Sequence, residues 1–437
     1  MSVVVLFLAS LFGFILLTVP IAFALFLTAL VLALAMGSWS PALVIQNIFR
    51  GIDSFPLMAI PFFLLAGEIM NTGGIAERII MVAKAMCGHV RGGLGYVTVV
   101  ASMLISGVSG SAVADTSAIG SFLYPVMKKE GYDPQKAAAL VAASTTNGPI
   151  IPPSIPMVIF GVIANVSIIR LFVGGVIPGI LACLLLIIPA LFLSIRHNFG
   201  VDVSKAPKPK FWPALKDASW ALAAPVLILG GLRTGWFTPT EAAVMAVVFG
   251  LFVGFVIYRS LTFRDVFELL IESAETSAVI LIVVGLASVF AWATSTMGIV
   301  DPITEGLVAL GGGHSLAVLC ILLLFLKIAG MFLDGISIFL IFCPLFVPIA
   351  QRFGWDLVWF GVMMTYVIAL GQFCPPMAVN LMVSCRLSGA TMEETIRWDL
   401  WMLLFMGMGL VASAAALVGS STQSRRRKTV NGRITLP

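Results

Sequence analysis

Apolar residues run along this chain in long unbroken blocks, near 3–18, 20–36, 54–72, 171–195, 218–232, 240–258, 275–297 and 399–418. A run of roughly 20 apolar residues is the length of a helix that crosses the hydrocarbon core of a bilayer. A membrane β-barrel would show short alternating segments instead. The pattern therefore predicts an all-α polytopic membrane protein. Pro20 separates the first two runs. The first begins at residue 3 with no basic segment before it, so it reads as the first span rather than a cleaved signal peptide. A polar connector, "RHNFGVDVSKAPKPKFWPALKD" at 196–217, divides the chain into two halves. The tail from 419 to 437 reads as disordered.

Two regions depart from this pattern. At 93–164 and 315–387, apolar sequence is broken by Gly, Ser, Asp and Pro, and the two regions resemble each other. "GSAVADTSAIGSFLYPVMKKEGYD" is echoed by "AGMFLDGISIFLIFCPLFVPIAQRFGWD", and "NGPIIPPSIPMVI" by "GQFCPPMAVNLMV". The offsets are 224 for Gly74 and Gly298, 219 for Asp115 and Asp334, and 223 for Pro152 and Pro375. An offset held this closely marks an internal duplication. Duplicated, interrupted apolar segments are the mark of a secondary transporter and point to its binding site.

Non-helical backbone is tolerated at membrane depth only where protein buries it or where it lines a cavity. The 93–129 segment is too long for one ordinary span and has "SGVSGS" at its centre, so it predicts a re-entrant hairpin. Basic residues on both flanks (Arg78, Lys84, Arg91, Lys128, Lys129) place its base on the cytoplasmic side. The 315–351 segment, with its tip near "AGMFLDG", predicts a second hairpin entering from the opposite face. After each hairpin comes a helix broken by Pro-Pro, at 134–164 and 356–387. Carbonyls freed at the breaks and serine hydroxyls at the tips are hard oxygen ligands that suit a small, partly dehydrated cation. The first candidate sodium site is Ser106, Ser109 and Ser111 facing Gly148, Ile151 and Pro153. The second is Gly330, Gly371, Cys374 and Pro376. The candidate substrate and tip region is Asp115, Thr116, Asn147, Asp334 and Asn380. Half-helix N-termini near the tips favour an anionic substrate. Asp115 and Asp334 have three available roles: capping a half-helix, tuning cation affinity, or carrying protons. Capping or hydrogen bonding at the tip fits best. Glu68 and Lys327 also interrupt apolar runs; Lys327 can snorkel or meet substrate.

Composition agrees: of 437 residues, 60% are hydrophobic and only 10% charged, against about 25% charged in soluble domains. The net charge of +5 reflects basic residues in connections between spans, not a nucleic-acid surface. The six cysteines form no CxxC pair and read as buried thiols. "GVSG" at 107–110 resembles the serine motif of rhomboid-type membrane proteases. Catalysis there needs a base, and His89, His197 and His314 all lie in polar connections. The chain carries no Gly-Lys-Ser/Thr phosphate loop and is not read as an enzyme.

The stretch from Ser106 to Gly161, together with "IPFFLLAGEIMNTGGIAERI", resembles the large membrane subunit of tripartite ATP-independent periplasmic (TRAP) transporters over nearly the whole chain. The resemblance implies two inverted-topology repeats of the ion-transporter-superfamily type and elevator movement. It also implies sodium-driven uptake of organic acids, with no cofactor beyond the coupling ion. A periplasmic substrate-binding protein and a separate small four-helix membrane subunit would be the partners, in the bacterial inner membrane. The family's first sodium site maps to Ser109, Ser111, Gly148, Ile151 and Pro153. The second break departs from the family's G-x-x-T-P-P-x-G: it reads "GQFCPPMA", with Cys374 for threonine and Ala378 for glycine. A stand-alone sodium- or proton-coupled carboxylate carrier is the alternative. The expected organisation is scaffold spans at 1–72, a first repeat at 73–195, the cytoplasmic connector at 196–217, scaffold spans at 218–296, a second repeat at 297–418, and the tail.

Overall fold

The computed structural model describes residues 3–35, 37, 40–90, 92–197 and 210–431, the side chains of His197 and of 415–431 excepted. Among these residues the chain is helical and contains no strand. It begins with α1 (Val3–Leu16), α2 (Ile21–Ala35), α3 (Pro41–Ile52), a short 3-10 turn at Phe55–Met58, and α4 (Ala59–Thr72). Then come α5 (Ile75–Cys87), the hairpin of α6 (Gly93–Ser109) and α7 (Ala112–Lys129), the broken pair α8 (Pro134–Thr145) and α9 (Ile155–Ile163), and the long α10 (Ile168–His197). The middle of the chain forms α11 (Phe211–Asp217), α12 (Ser219–Thr234) and α13 (Pro239–Phe252). The order of α4 to α10 then recurs as α14 (Phe263–Thr296), α15 (Val300–Leu310), α16 (Ser315–Gly330), α17 (Gly335–Arg352), α18 (Leu357–Gln372), α19 (Val379–Ser388) and α20 (Met392–Asn431). Six helices among the described residues are long and apolar enough to cross a membrane, or up to eight if each bent pair is one span.

The bilayer-facing surface is legible in α10. Val173, Ile177, Ile180, Leu184, Ile188, Leu191 and Ile195 are exposed and recur every three or four residues, so they form one stripe. Leu171, Phe172, Ala182, Leu186, Ala190 and Leu193 are buried on the other face. Both faces are apolar because lipid replaces water outside. By contrast, α18 is buried at every residue from Trp359 to Gly371, as befits a helix apolar all round at the centre of the bundle.

The two repeats interlock. Helix α7 packs along α19 and α17 along α9, while α8 packs on α20 and α18 on α10. Each hairpin and each broken helix thus buries its surface against the opposite repeat. Small residues permit the close approach: Ala137, Ala138, Ala139, Ala142 and Ala143 of α8 are all buried. Helix ends are closed by local chemistry. Capping boxes join Thr238 to Glu241 and Thr262 to Asp265, and Asp334 and Asp356 cap α17 and α18.

Three features differ from the sequence reading. Cys320 is exposed on α16, beside the outward Leu316 and Leu324, because the outer face of this bundle is itself apolar. The backbone of 419–431 continues α20, and no Gly or Pro lies between 420 and 431 to end it. In the connector, 198–209 lies outside the described residues, as does 432–437 of the tail, and 211–217 is helical.

Where the second hairpin meets the second broken helix, the backbones touch. A Cβ at Gly371 would lie 2.5 Å from Gly330 Cα, whereas one at Gly407 of α20 would meet nothing within 4 Å. Gly371→Val should therefore destabilise the chain by about 1–3 kcal/mol, the cost of overpacking. Gly407→Val should melt close to wild type. Thermal unfolding in detergent compares them, and equal melting would refute the contact.

Candidate functional site

The first crossing forms where the α6–α7 hairpin meets the α8–α9 break. Gly110 turns the chain between the arms with φ +65°, a left-handed conformation that glycine adopts without strain. It also faces the break so closely that a Cβ there would lie 2.3 Å from the Pro153 carbonyl oxygen. Ser111 caps α7, accepting from Ala114 N at 3.4 Å. Asp115 lies on the first turn of α7 and is fully buried. Ser106 Oγ donates to Asp115 Oδ2 at 2.9 Å, and Ser109 Oγ donates to Oδ1. No ion pair among the described residues involves Asp115. From the break, a Cβ at Gly148 would lie 2.9 Å from Asp115 Oδ2 and 3.0 Å from Ala112 N.

Six of the expected residues are therefore gathered at one place: Ser106, Ser109, Ser111, Asp115, Gly148 and Pro153. Ile151 belongs to the same break, but its side chain packs toward Gly179 of α10. Asn147 stands beside Gly148, with Nδ2 donating to the Ser144 carbonyl at 3.0 Å and a buried Oδ1 that has no donor. A buried carboxylate, two hydroxyls and a backbone carbonyl make an all-oxygen set, with the unpartnered amide oxygen of Asn147 on the residue next to Gly148. Such donors suit a hard cation, and each hydroxyl that donates one proton keeps lone pairs to offer. No group of three or more His, Cys, Asp or Glu side chains among the described residues, here or elsewhere, is placed to hold a metal ion.

Thr116 and Asn380 are spent differently. The Thr116 hydroxyl lies 2.6 Å from Asn380 Oδ1 and 2.6 Å from the Thr145 hydroxyl. Asn380 Nδ2 donates to the Ala142 carbonyl at 2.8 Å and lies 3.1 Å and 3.2 Å from the Thr145 and Thr146 hydroxyls. Both residues are fully buried, so they bolt the two repeats together. Tyr124 and Ser384 add a second bolt, with Ser384 Oγ donating to the Ala138 carbonyl at 2.7 Å. Nothing in the sequence pattern links these residues, because the partners lie in different repeats.

The second crossing is built otherwise. Gly330 packs on Gly371, Cys374 N donates to the Gly371 carbonyl at 3.0 Å, and Met377 N donates to the Met331 carbonyl at 3.2 Å across the crossing. Gly330, Gly371 and Cys374 are thus brought together beside Pro376, with no hydroxyl among them. Asp334 is exposed and accepts from Ser337 N at 3.1 Å as the α17 cap. This corrects the pairing of Asp334 with Asp115. By helix position, Asp334 is the counterpart of Ser111, the α7 cap, and the counterpart of Asp115 is the buried Ile338. The four-residue tip of the second hairpin is longer than the two-residue tip of the first, which shifts the sequence offset there.

Glu68 lies beside Gly67, whose own position abuts Ser109, but its carboxylate is within electrostatic reach of Glu272 on α14. Among the described side chains no histidine serves Ser109: its hydroxyl goes to Asp115, His89 and His314 are exposed, and His197 lies outside the described side chains.

An inverted pair of repeats with re-entrant hairpins and broken helices defines a multi-pass membrane transporter. The chain matches the model of the tripartite ATP-independent periplasmic transporter DctM component over residues 8–418, and it belongs to that family. It is similar to the sialic acid TRAP transporter large permease SiaM of Vibrio cholerae, at 36% identity over 395 residues covering 90% of this chain and 92% of that one. It is also similar to the 2,3-diketo-L-gulonate TRAP transporter large permease YiaN of Escherichia coli, at 38% identity and the same coverage. In fold it resembles the YdaH transporter of Alcanivorax borkumensis, with a TM-score of 0.63 at 13% identity, covering 86% of this chain and 88% of that one. The chain is the substrate-translocating permease subunit of a TRAP transporter, not an enzyme.

The bolt between repeats is testable. Asn380→Leu leaves buried polar groups of α7 and α8 without a partner, which costs about 1–3 kcal/mol. Chemical unfolding in detergent should register that loss, and wild-type stability in the variant would show that the bolt holds nothing.

Proposed function

We propose that this chain imports an organic anion under a sodium gradient, with the coupling ion bound at the first crossing. The observation that carries the reading is Asp115: a fully buried carboxylate, held by two serine hydroxyls at the hairpin tip and, among the described residues, in no ion pair with a basic side chain. A buried charge without a partner is expensive, and a bound cation removes the cost. Ser106, Ser109, Asp115, Asn147 and Pro153 would supply its oxygens, and Ser111 and Gly148 would shape the site.

The proposed substrate class is an organic acid, a reading supported by relatives named for sialic acid, diketogulonate and isethionate. Substrate would bind near the hairpin tips, where the N-termini of α7 and α17 present their backbone N–H groups to an anion. The interlocked hairpins and broken helices would travel as one body past the scaffold, in an elevator movement. A periplasmic binding protein would deliver substrate, and a small four-helix membrane subunit would brace the scaffold. The setting would be the bacterial inner membrane, with the base of the first hairpin toward the cytoplasm. A stand-alone carrier would transport without the binding protein, which reconstitution with and without it distinguishes.

Ligand that binds only the folded state raises apparent stability in a saturable way, by about 2.7 kcal/mol at a hundredfold excess over Kd. Thermal unfolding of the purified chain, with sodium titrated against potassium at constant ionic strength, should show sodium-specific stabilisation. Ser109→Ala should weaken the apparent sodium affinity about tenfold, or about 1.4 kcal/mol. Equal melting in both salts, or an unchanged affinity in the variant, would overturn the assignment.

A further inference from the structure

Helix α7 leaves the first tip and runs to the base of the hairpin, and its outward face is unlike that of α10. The exposed residues are Val113, Ser117, Ser121, Pro125 and Lys128, one per turn, whereas between 173 and 195 every exposed residue of α10 is large and apolar. Helix α19 of the other repeat lies beside α7 and runs the same way, since Thr116 meets Asn380 and, further along both helices, Tyr124 meets Ser384. At the base, the groove between them opens into a cavity of about 320 Å³, the size of a small-molecule site. Its walls include Ser121, Tyr124 and Lys128 of α7, Tyr132 of the turn that follows, and Leu387 and Ser388 of α19. Gly120 lets the walls close in, since a Cβ there would lie 2.7 Å from Tyr124 Cε2 and 3.1 Å from Leu387 Cδ1. Tyr124 is held in place by its bond to Ser384, so this wall is preformed.

Charge around the cavity is unbalanced. Lys128 is exposed at its rim, as are Lys129 beside it and Arg386 beside Leu387, and none of the three is in an ion pair among the described residues. The nearby carboxylates are engaged elsewhere. Asp133 pairs with Lys136, Glu394 accepts from Gln135 Nε2 at 2.9 Å, and Glu130 lies within electrostatic reach of Lys84. An ammonium offers three donors and no acceptor. Ser121 Oγ and Ser388 Oγ donate to the Ala118 and Cys385 carbonyls at 3.0 Å and 3.1 Å, and rotation of either hydroxyl would turn its proton toward a ligand. These groups suit an anionic oxygen, whether of a carboxylate, a sulfonate or a phosphate.

We infer that this cavity is a release subsite, where Lys128 receives the acid group of the imported anion as it leaves the hairpin tips for the cytoplasm. The inference rests on the organic-anion reading and adds a second station to it, about 22 Å along α7 from the first. No carboxylate lies on the exposed face of α7 between the tip and the cavity, so nothing there repels an anion. A solvated ammonium at the end attracts the anion without holding it firmly, because exposed ion pairs are weak. A phospholipid phosphate would satisfy the same donors, and lipid composition separates the two sources.

Cysteine reactivity in the full chain tests this. Ser121→Cys in phosphatidylcholine nanodiscs is treated with sulfonatoethyl methanethiosulfonate, an organic anion, or with trimethylammonioethyl methanethiosulfonate, a cation. Mass spectrometry follows labelling at position 121, and the ratio of the two rates cancels any change in the thiol itself. Relative to a small free thiol, the ratio should favour the anion about tenfold, as a local positive potential raises the encounter rate of anions. Adding Lys128→Gln should bring it close to that of the free thiol. Ser388→Cys reads the same cavity from the opposite wall, should Ser121→Cys fail to fold. A ratio equal to the free thiol's, or one that Lys128→Gln leaves unchanged, would overturn the inference. Labelling that phosphatidylglycerol in the nanodisc suppresses would assign the cavity to a lipid headgroup and overturn the release role. The sodium titration reads the first crossing by itself, so the two readings fail separately.

Discussion

Every backbone N–H and C=O inside a bilayer must find a partner within the protein, and the two broken helices put that requirement under the greatest load. The last turn of α8 shows how it is met. The Ser144 carbonyl accepts from Ser102 of α6 at 2.6 Å and from Asn147 at 3.0 Å. The Ala142 carbonyl accepts from Thr146 at 2.7 Å and from Asn380 of the other repeat at 2.8 Å. At the start of α9, Ser154 donates to the Pro149 carbonyl and accepts from Met157 N at 3.3 Å. Serine, threonine and asparagine cluster here because, at a break in the helix, side-chain donors reinforce the few backbone N–H groups left to satisfy the carbonyls. The same polarity then becomes available to an ion. Function at this site grows from the solution to a folding constraint.

The sequence pattern predicts helices, breaks and duplication because each has a local cause. A long apolar run, a Gly-Ser centre and a Pro-Pro pair each act on their own few residues. The relation between distant segments has no such local trace. Thr116 and Asn380 meet although 264 residues separate them, and only the interlocking of the repeats brings them together. Asp334 looks like the echo of Asp115 in a linear comparison, yet it caps a helix where Ser111 does, because the second tip is two residues longer. Asp399 is invisible for another reason: it sits at the edge of an apolar run, where a carboxylate reads as interfacial, but α20 begins at Met392 and carries it inside.

The crosswise packing also decides which parts can move together. The hairpins and broken helices bury their faces on one another, through α7 on α19, α17 on α9, α8 on α20 and α18 on α10. The remaining helices form their own contacts, with α14 against α2, α3 and α4, and α13 against α4. A body held by buried hydrogen bonds across repeats keeps its shape, because separating the repeats would strand polar groups in a dry interior. Contacts between the body and the scaffold include apolar ones, such as Phe63 of α4 with Phe172 of α10. Apolar surfaces can slide without leaving a group unpaired, so displacement between the two layers costs less than deformation within the body.

Charge placement then gives the two halves of a duplicated frame unequal roles. Duplication supplies two crossings, each with a hairpin turn, a close glycine contact and a Pro-Pro break, but with tips of two and four residues. Side chains then distinguish them: serine hydroxyls donate to the buried Asp115 at one, and the other has Ile338 in the place of that carboxylate and no hydroxyl among Gly330, Gly371 and Cys374. In a low-dielectric interior the sign of the unbalanced charge selects what binds, since bringing a second like charge close is costly. On the proposed reading, a mobile cation held at the first crossing responds to the ion gradient. On that reading the first repeat carries the coupling, and the second, with Ile338 where the first has Asp115, supplies the apolar frame on which the first packs.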